Sequence, residues 1–119
     1  MSLQSKILSE DIVKVIYNAS SLNHSITKAG VFGSYARGDQ TESSDLDVVY
    51  ENTYDEDFLD DLYDFACRIE DNLPKILNKP DLKIDFVSLE GLNSGSMKDL
   101  NQPMIENILR DVVWVYEKQ

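Results

Sequence analysis

The stretch ITKAGVFGSYARGDQTESSDLDVVYE, residues 26 to 51, constrains the fold more than any other part of the chain. Its first residues, ITKAGVFG, are short, partly β-branched and stopped by glycine, the pattern of a buried strand. SYARG reads as one helical turn opening directly from that strand, and DQTESS as a polar loop. DLDVVYE returns as a second strand, because Val48, Val49 and Tyr50 favour extended backbone and are bounded by turn residues. The chain therefore contains two neighbouring strands with a glycine bend where the first one ends.

The flanking segments supply helices and further strands, which makes the fold class α+β. Ser9 is placed to cap a helix whose first turn carries Glu10 and Asp11, and Ile12, Val15, Ile16 and Ala19 recur at helical spacing until about Leu22. A second helix is predicted from about Asp55 to Asn72, ending before Pro74, with Phe58, Leu62, Phe65, Ile69 and Leu73 on its inner face. KILNKPD reads as a connection, LKIDFVSL as a third strand, and GLNSGSMKDLNQP as a loop with one short helical turn. Pro103 fits the first turn of a helix running to about Arg110. VVWVYE then closes the chain as an extended segment, although a helix continued through IENILRDVVWVYEK has comparable periodicity.

A length of 119 residues suits one domain, taken as 1–119. No run reaches the length of a membrane span, and the start lacks the basic flank and apolar core of a secretory signal, so the expected location is cytoplasmic. Met1, Ser2 and Leu3 carry no weight in this reading. With Cys67 as the single cysteine, no internal disulfide forms, and the residue reads as an inert surface thiol. His24 reads as a loop histidine, since no second His or Cys stands at metal-binding spacing. A formal net charge of -11 argues against a broad nucleic-acid surface and favours a basic protein partner. Much of the excess lies between Glu51 and Asp71, on what reads as the solvated outer face of the second helix.

Chemistry concentrates around Asp45 and Asp47. Alternation along a strand points both carboxylates to one face, their attachment points roughly 7 Å apart, where a divalent cation relieves their repulsion. Mg²⁺ takes carboxylate, water and phosphate oxygens, so an aspartate pair leaves positions for a substrate phosphate. Asp85 joins them if the third strand runs beside the second, and three acids have capacity for two ions. Gly33 lets backbone approach a phosphate, Ser34 offers a hydroxyl and exposed amides at the start of a helical turn, and Arg37 lies one turn further on. An EF-hand reading of DQTESSDLD fails for want of the turn glycine and the later glutamate.

GSYARGDQTESSDLD carries Gly-Ser, ten residues, then Asp-x-Asp, and so resembles the DNA polymerase β-like nucleotidyltransferases; the short chain with GSYARG and SDLDVV is similar to their minimal, MNT-type members. KIDFVSL stands where that family supplies its third acid, and the likeness in element order covers residues 8 to 117. The resemblance implies a small mixed sheet flanked by helices and Mg²⁺-dependent transfer of a nucleoside monophosphate from a nucleoside triphosphate such as ATP, with release of pyrophosphate. By the same resemblance Gly33 and Ser34 hold the triphosphate, supported by Arg37 and Ser44. Asp45, Asp47 and Asp85 bind metal, and Asp85 also helps to activate the acceptor hydroxyl. Stand-alone minimal members are often antitoxins of a HEPN-type RNase toxin, and some transfer AMP to a tyrosine of that partner. Two other readings stay open: a non-catalytic toxin-binding module, and transfer to a small molecule such as an aminoglycoside in a pocket formed across a homodimer. Polymerisation on a nucleic acid ranks below these because of the charge balance.

Overall fold

The protein is described by a computed structural model covering residues 8–119, so Met1, Ser2 and Leu3 lie outside the described residues. Helix α1 (Glu10–Ser21) begins where expected: the Ser9 side chain accepts a hydrogen bond from the Asp11 amide, and Glu10 and Asp11 face the positive end of the helix. Its Ile12, Ile16 and Ala19 are buried. Strand β1 (Ile26–Phe32) leads through Gly33 into the single-turn helix α2 (Ser34–Arg37), and strand β2 (Leu46–Asn52) returns antiparallel to β1. Helix α3 (Phe58–Ile76) then crosses over to strand β3 (Ile84–Ser88), which lies parallel to β2. A parallel neighbour requires such a crossover, because the chain must travel back along the sheet before it can repeat its direction.

The short helix α4 (Leu89–Leu92) and the longer α5 (Lys98–Asp111) precede strand β4 (Val113–Glu117), which pairs antiparallel with the free edge of β1. The terminal segment is thus a strand. The sheet is mixed, in the order β3-β2-β1-β4. Its core face packs against α1 and α3, where Ile26, Ala29, Val31, Leu46 and Val48 meet Ile12, Ile16, Phe65, Ile69 and Leu73. Phe65 is 1% exposed and stands between the rings of Tyr50 and Phe86, at centroid distances of 5.8 and 6.0 Å. Val49 points to the opposite face by strand alternation and is also fully buried, so that face is covered at Val49.

Three helix boundaries differ from expectation. Helix α3 starts at Phe58 rather than Asp55, because the Asp55 carboxylate accepts hydrogen bonds from Ser25 Oγ, Thr53 Oγ1 and the Asp57 amide and fixes a turn ahead of the helix. It also runs past Pro74 to Ile76. Its stop is a Schellman motif at Asn78, which has φ 56°, with Lys79 N–H donating to the Pro74 carbonyl and Asn78 N–H to that of Lys75. Burial of Leu73 holds this last turn against the proline. Helix α5 starts five residues before Pro103, its first turn tied to α4 by Asn101 Nδ2 donating to the Leu92 carbonyl and Gln102 Nε2 to Asn93 Oδ1. Pro103 therefore lies inside the helix rather than in its first turn.

Candidate active site

Gly33 has φ 74° and ψ -152°, a conformation that L side chains rarely adopt. A Cβ built on it would collide with Asp47 Oδ2. The absence of a side chain thus serves both the bend that launches α2 and the close approach of the Asp47 carboxylate. In α2, the Ala36 and Arg37 amides donate to the Gly33 carbonyl, while those of Gly38 and Asp39 donate to Ser34. A helix leaves its first amides without intrahelical partners, so those of Ser34 and Tyr35 are the ones available at the bend. Tyr35 itself is 4% exposed and packs inward, with Lys79 Nζ donating to its hydroxyl at 3.2 Å.

Phe32 is paired with Asp47 across the antiparallel β1–β2 ladder, and Asp47 with Asp85 across the parallel β2–β3 ladder. Paired residues in adjacent strands project to the same face, so the two carboxylates stand side by side, next to the glycine bend. Asp45 precedes β2 by one residue and is exposed, as is Asp85, whereas Asp47 is half-buried. Burial, then Asp85 and then Asp45 push the Asp47 carboxyl above the usual carboxylate range, and Arg37 pulls it the other way. This is an acidic cluster whose central member is penalised for being charged. A cation is the natural relief, and a set of three carboxylates is the hard oxygen donor set that Mg²⁺ prefers. In oxygen chemistry the residues present fit such an ion, while among the described residues the trio whose ligand atoms lie within 4.8 Å of one another is His24, Asp55 and Asp61.

The remaining predicted residues border this cluster. Arg37 Nε donates to Asp39 at 3.2 Å and its Nη1 to Asp111 at 3.0 Å. Ser44 Oγ accepts from the Thr41 amide at 2.9 Å and its own amide donates to the Thr41 carbonyl, which fixes the loop just before Asp45. Asp111 was not singled out by sequence reasoning. No local spacing connects it to Arg37, and only the docking of α5 brings the two together.

His24 is not the solitary loop residue its sequence context implies. Its ring nitrogens lie 3.5 Å from Asp55, 3.7 Å from Asp57 and 3.4 Å from Asp61. It sits beyond the Ile26–Asn52 end of the β1–β2 ladder, whereas Asp47 is paired at the Phe32 end. Asp61 also accepts the Ser25 amide, so this second cluster ties the loops before β1 and after β2 to the start of α3.

A bend with free amides beside paired aspartates on a mixed sheet is an arrangement compatible with nucleotidyl transfer, and comparison with known proteins gives that class. The chain belongs to the family Polymerase beta, Nucleotidyltransferase, which residues 10–119 match. It is 33% identical over 90 residues to the protein adenylyltransferase MntA of Thermococcus cleftensis, covering 76% of this chain and 75% of that one. It is 32% identical over 92 residues to a Methanocaldococcus jannaschii protein provisionally named a protein adenylyltransferase, covering 77% of this chain and 79% of that one. Among solved structures, a toxin-antitoxin with AMP-PNP superposes with TM-score 0.55 at 20% identity, covering 90% of this chain and 74% of that one. A mutant MntA-HpeT toxin-antitoxin superposes with TM-score 0.52 at 17% identity, with coverage of 91% and 74%. Among the described residues, no helix is long and apolar enough to cross a membrane.

Proposed function

We propose that this nucleotidyltransferase transfers AMP from ATP to a hydroxyl group of a partner protein, as the antitoxin of a HEPN-type toxin in the cytoplasm. The observation that carries the reading is the Asp47–Asp85 rung set against the Gly33 bend, with Asp45 adjacent. The names of the two relatives support a protein acceptor, and the toxin-antitoxin neighbours support a toxin as that acceptor. The charge of -11 suits docking to a basic protein.

In this mechanism Gly33 and the amides of Ser34 and Tyr35 receive the triphosphate tail, Arg37 meets the same phosphates, and Ser44 steadies the loop that presents Asp45. Asp45, Asp47 and Asp85 would hold Mg²⁺, with two ions the expected number. When bound, these supply charge neutralisation and lower the pKa of the attacking hydroxyl. The acceptor oxygen forms a bond to the α-phosphorus, the bond from that phosphorus to the bridging oxygen breaks, and pyrophosphate leaves in line. Asp85, exposed at the edge strand, takes the hydroxyl proton.

The test is label transfer. With α-labelled ATP, Mg²⁺ and the product of the neighbouring gene, the partner acquires label, and an Asp45→Ala/Asp47→Ala variant transfers none. An unlabelled partner that is still neutralised by the double variant would replace the enzyme with a docking module.

A further inference from the structure

A carboxylate at the last position of a helix faces the negative end of the backbone dipole, where acids are disfavoured. Asp111 is the last residue of α5, and its side chain is only 11% exposed. It is compensated by two arginines: Arg110 beside it in the chain at 3.2 Å, and Arg37 from α2 at 3.0 Å. Arg110 alone would satisfy the local charge, so the approach of Arg37 calls for a separate reason.

Both ends of the Arg37–Asp111 contact are fixed by the sheet. Asp111 lies two residues before Val113, which is paired with Val31 in the β1–β4 ladder. Arg37 closes the helical turn that starts directly after β1 at Gly33, the residue in contact with Asp47. Ser34 and Arg37 are three apart on that turn and share a face. The guanidinium uses Nε for Asp39 and one Nη1 hydrogen for Asp111, and its Nη2 group has no partner among the described residues. The Arg37 side chain is 46% exposed. A guanidinium held by carboxylates at Nε and Nη1 keeps Nη2 as an oriented donor for a phosphate oxygen.

We infer that Asp111 is a positioning residue, which holds Arg37 beside the site so that its Nη2 group meets the triphosphate. The inference rests on the nucleotide-binding reading above and adds to it a residue from the far end of the chain. Hydrogen bonds from Arg110 and Arg37 keep the Asp111 carboxyl below the usual carboxylate range, so it is ionised at neutral pH and holds its partners through charge. An opposite role, in which Asp111 holds Arg37 away from the phosphates, predicts the reverse response.

The experiment is calorimetric binding of Mg²⁺·AMP-PNP, which needs no acceptor. Arg37→Ala is expected to weaken binding by about tenfold, equivalent to about 1.4 kcal/mol. Asp111→Asn is expected to weaken it by about three- to tenfold, and Asp111→Glu to recover part of that loss. The Arg37→Ala/Asp111→Asn double variant should bind no more weakly than Arg37→Ala alone, since the second change acts through the first. Arg110→Gln, which removes the neighbouring charge without touching Arg37, should leave the affinity unchanged. Unchanged or tighter binding by Asp111→Asn, or additive losses in the double variant, overturns the positioning role while leaving the nucleotide site intact. Absence of binding by the unmodified protein overturns the nucleotide site itself, and the inference with it.

Discussion

Asp47 Oδ2 occupies the space that a side chain at position 33 would need. A Gly33→Ala substitution therefore meets two penalties together, a backbone at φ 74° that costs about 1–3 kcal/mol for a non-glycine residue and displacement of a site carboxylate. The expected outcome is a lower denaturant midpoint together with loss of Mg²⁺·AMP-PNP binding. A Gly33→Ala protein of unchanged stability would show that the bend relaxes without consequence.

Asp47 is half-buried and faces Asp85 and Asp45, and its carboxyl is raised by burial and by both neighbours. A raised carboxyl favours the folded state below its unfolded pKa, and that contribution is lost as pH climbs through the folded value. The ion-free protein should accordingly lose stability as the pH rises through and above the carboxylate range, whereas Asp47→Asn should not show this loss. At neutral pH the variant should melt higher than the parent without Mg²⁺, and millimolar Mg²⁺ should raise the parent's melting temperature but not the variant's. Equal responses of the two proteins to Mg²⁺ would remove Asp47 from the ion site.

Phe65 links the α3 layer to the sheet through Tyr50 and Phe86, and it is almost fully buried. Phe65→Ala leaves a cavity between helix and strands and should cost about 3–5 kcal/mol, measured as a shift in urea midpoint at constant slope. Tyr63, on the same helix but 74% exposed, provides the contrast, and Tyr63→Ala should change stability by no more than about 0.5 kcal/mol.

Periodicity and turn chemistry made the strands and α1 legible in the sequence. Val48 and Val49 carry the strand pattern, and Ser9 followed by Glu10 and Asp11 marks a helix start by a local mechanism. The helix ends were less legible because two signals competed. Pro74 reads as a stop, yet the termination comes from Asn78 in a left-handed conformation with Pro80 behind it, and buried Leu73 keeps the turn before it helical. Pro103 was similarly overridden, since Ile105 and Ile108 are buried and Asn101 and Gln102 fasten the first turn to α4. For the site, Gly33, Ser34, Asp45 and Asp47 lie within one local pattern, and Asp85 needed only the parallel placement of β3. Arg37–Asp111 and His24–Asp55 join residues 74 and 31 positions apart, pairings that no local spacing encodes.

Asp55 concerns stability at acid pH. Hydrogen bonds from Ser25 and Thr53, the Asp57 amide and the charge of His24 lower its carboxyl below its ordinary value. A lowered carboxyl contributes stability above its unfolded pKa, and the contribution disappears as the pH falls through the folded value. The Asp55→Asn protein should therefore melt below the parent at pH 7, because it loses the charge-assisted bonds that join the loop before β1 to the start of α3. The difference should narrow as the pH falls below the ordinary carboxylate pKa of 3.8, where the parent's own carboxylate becomes protonated. Melting temperatures of both proteins measured from pH 7 down to the acid limit would check this, and a gap that stays constant across the range would mean that the Asp55 charge contributes nothing to the fold.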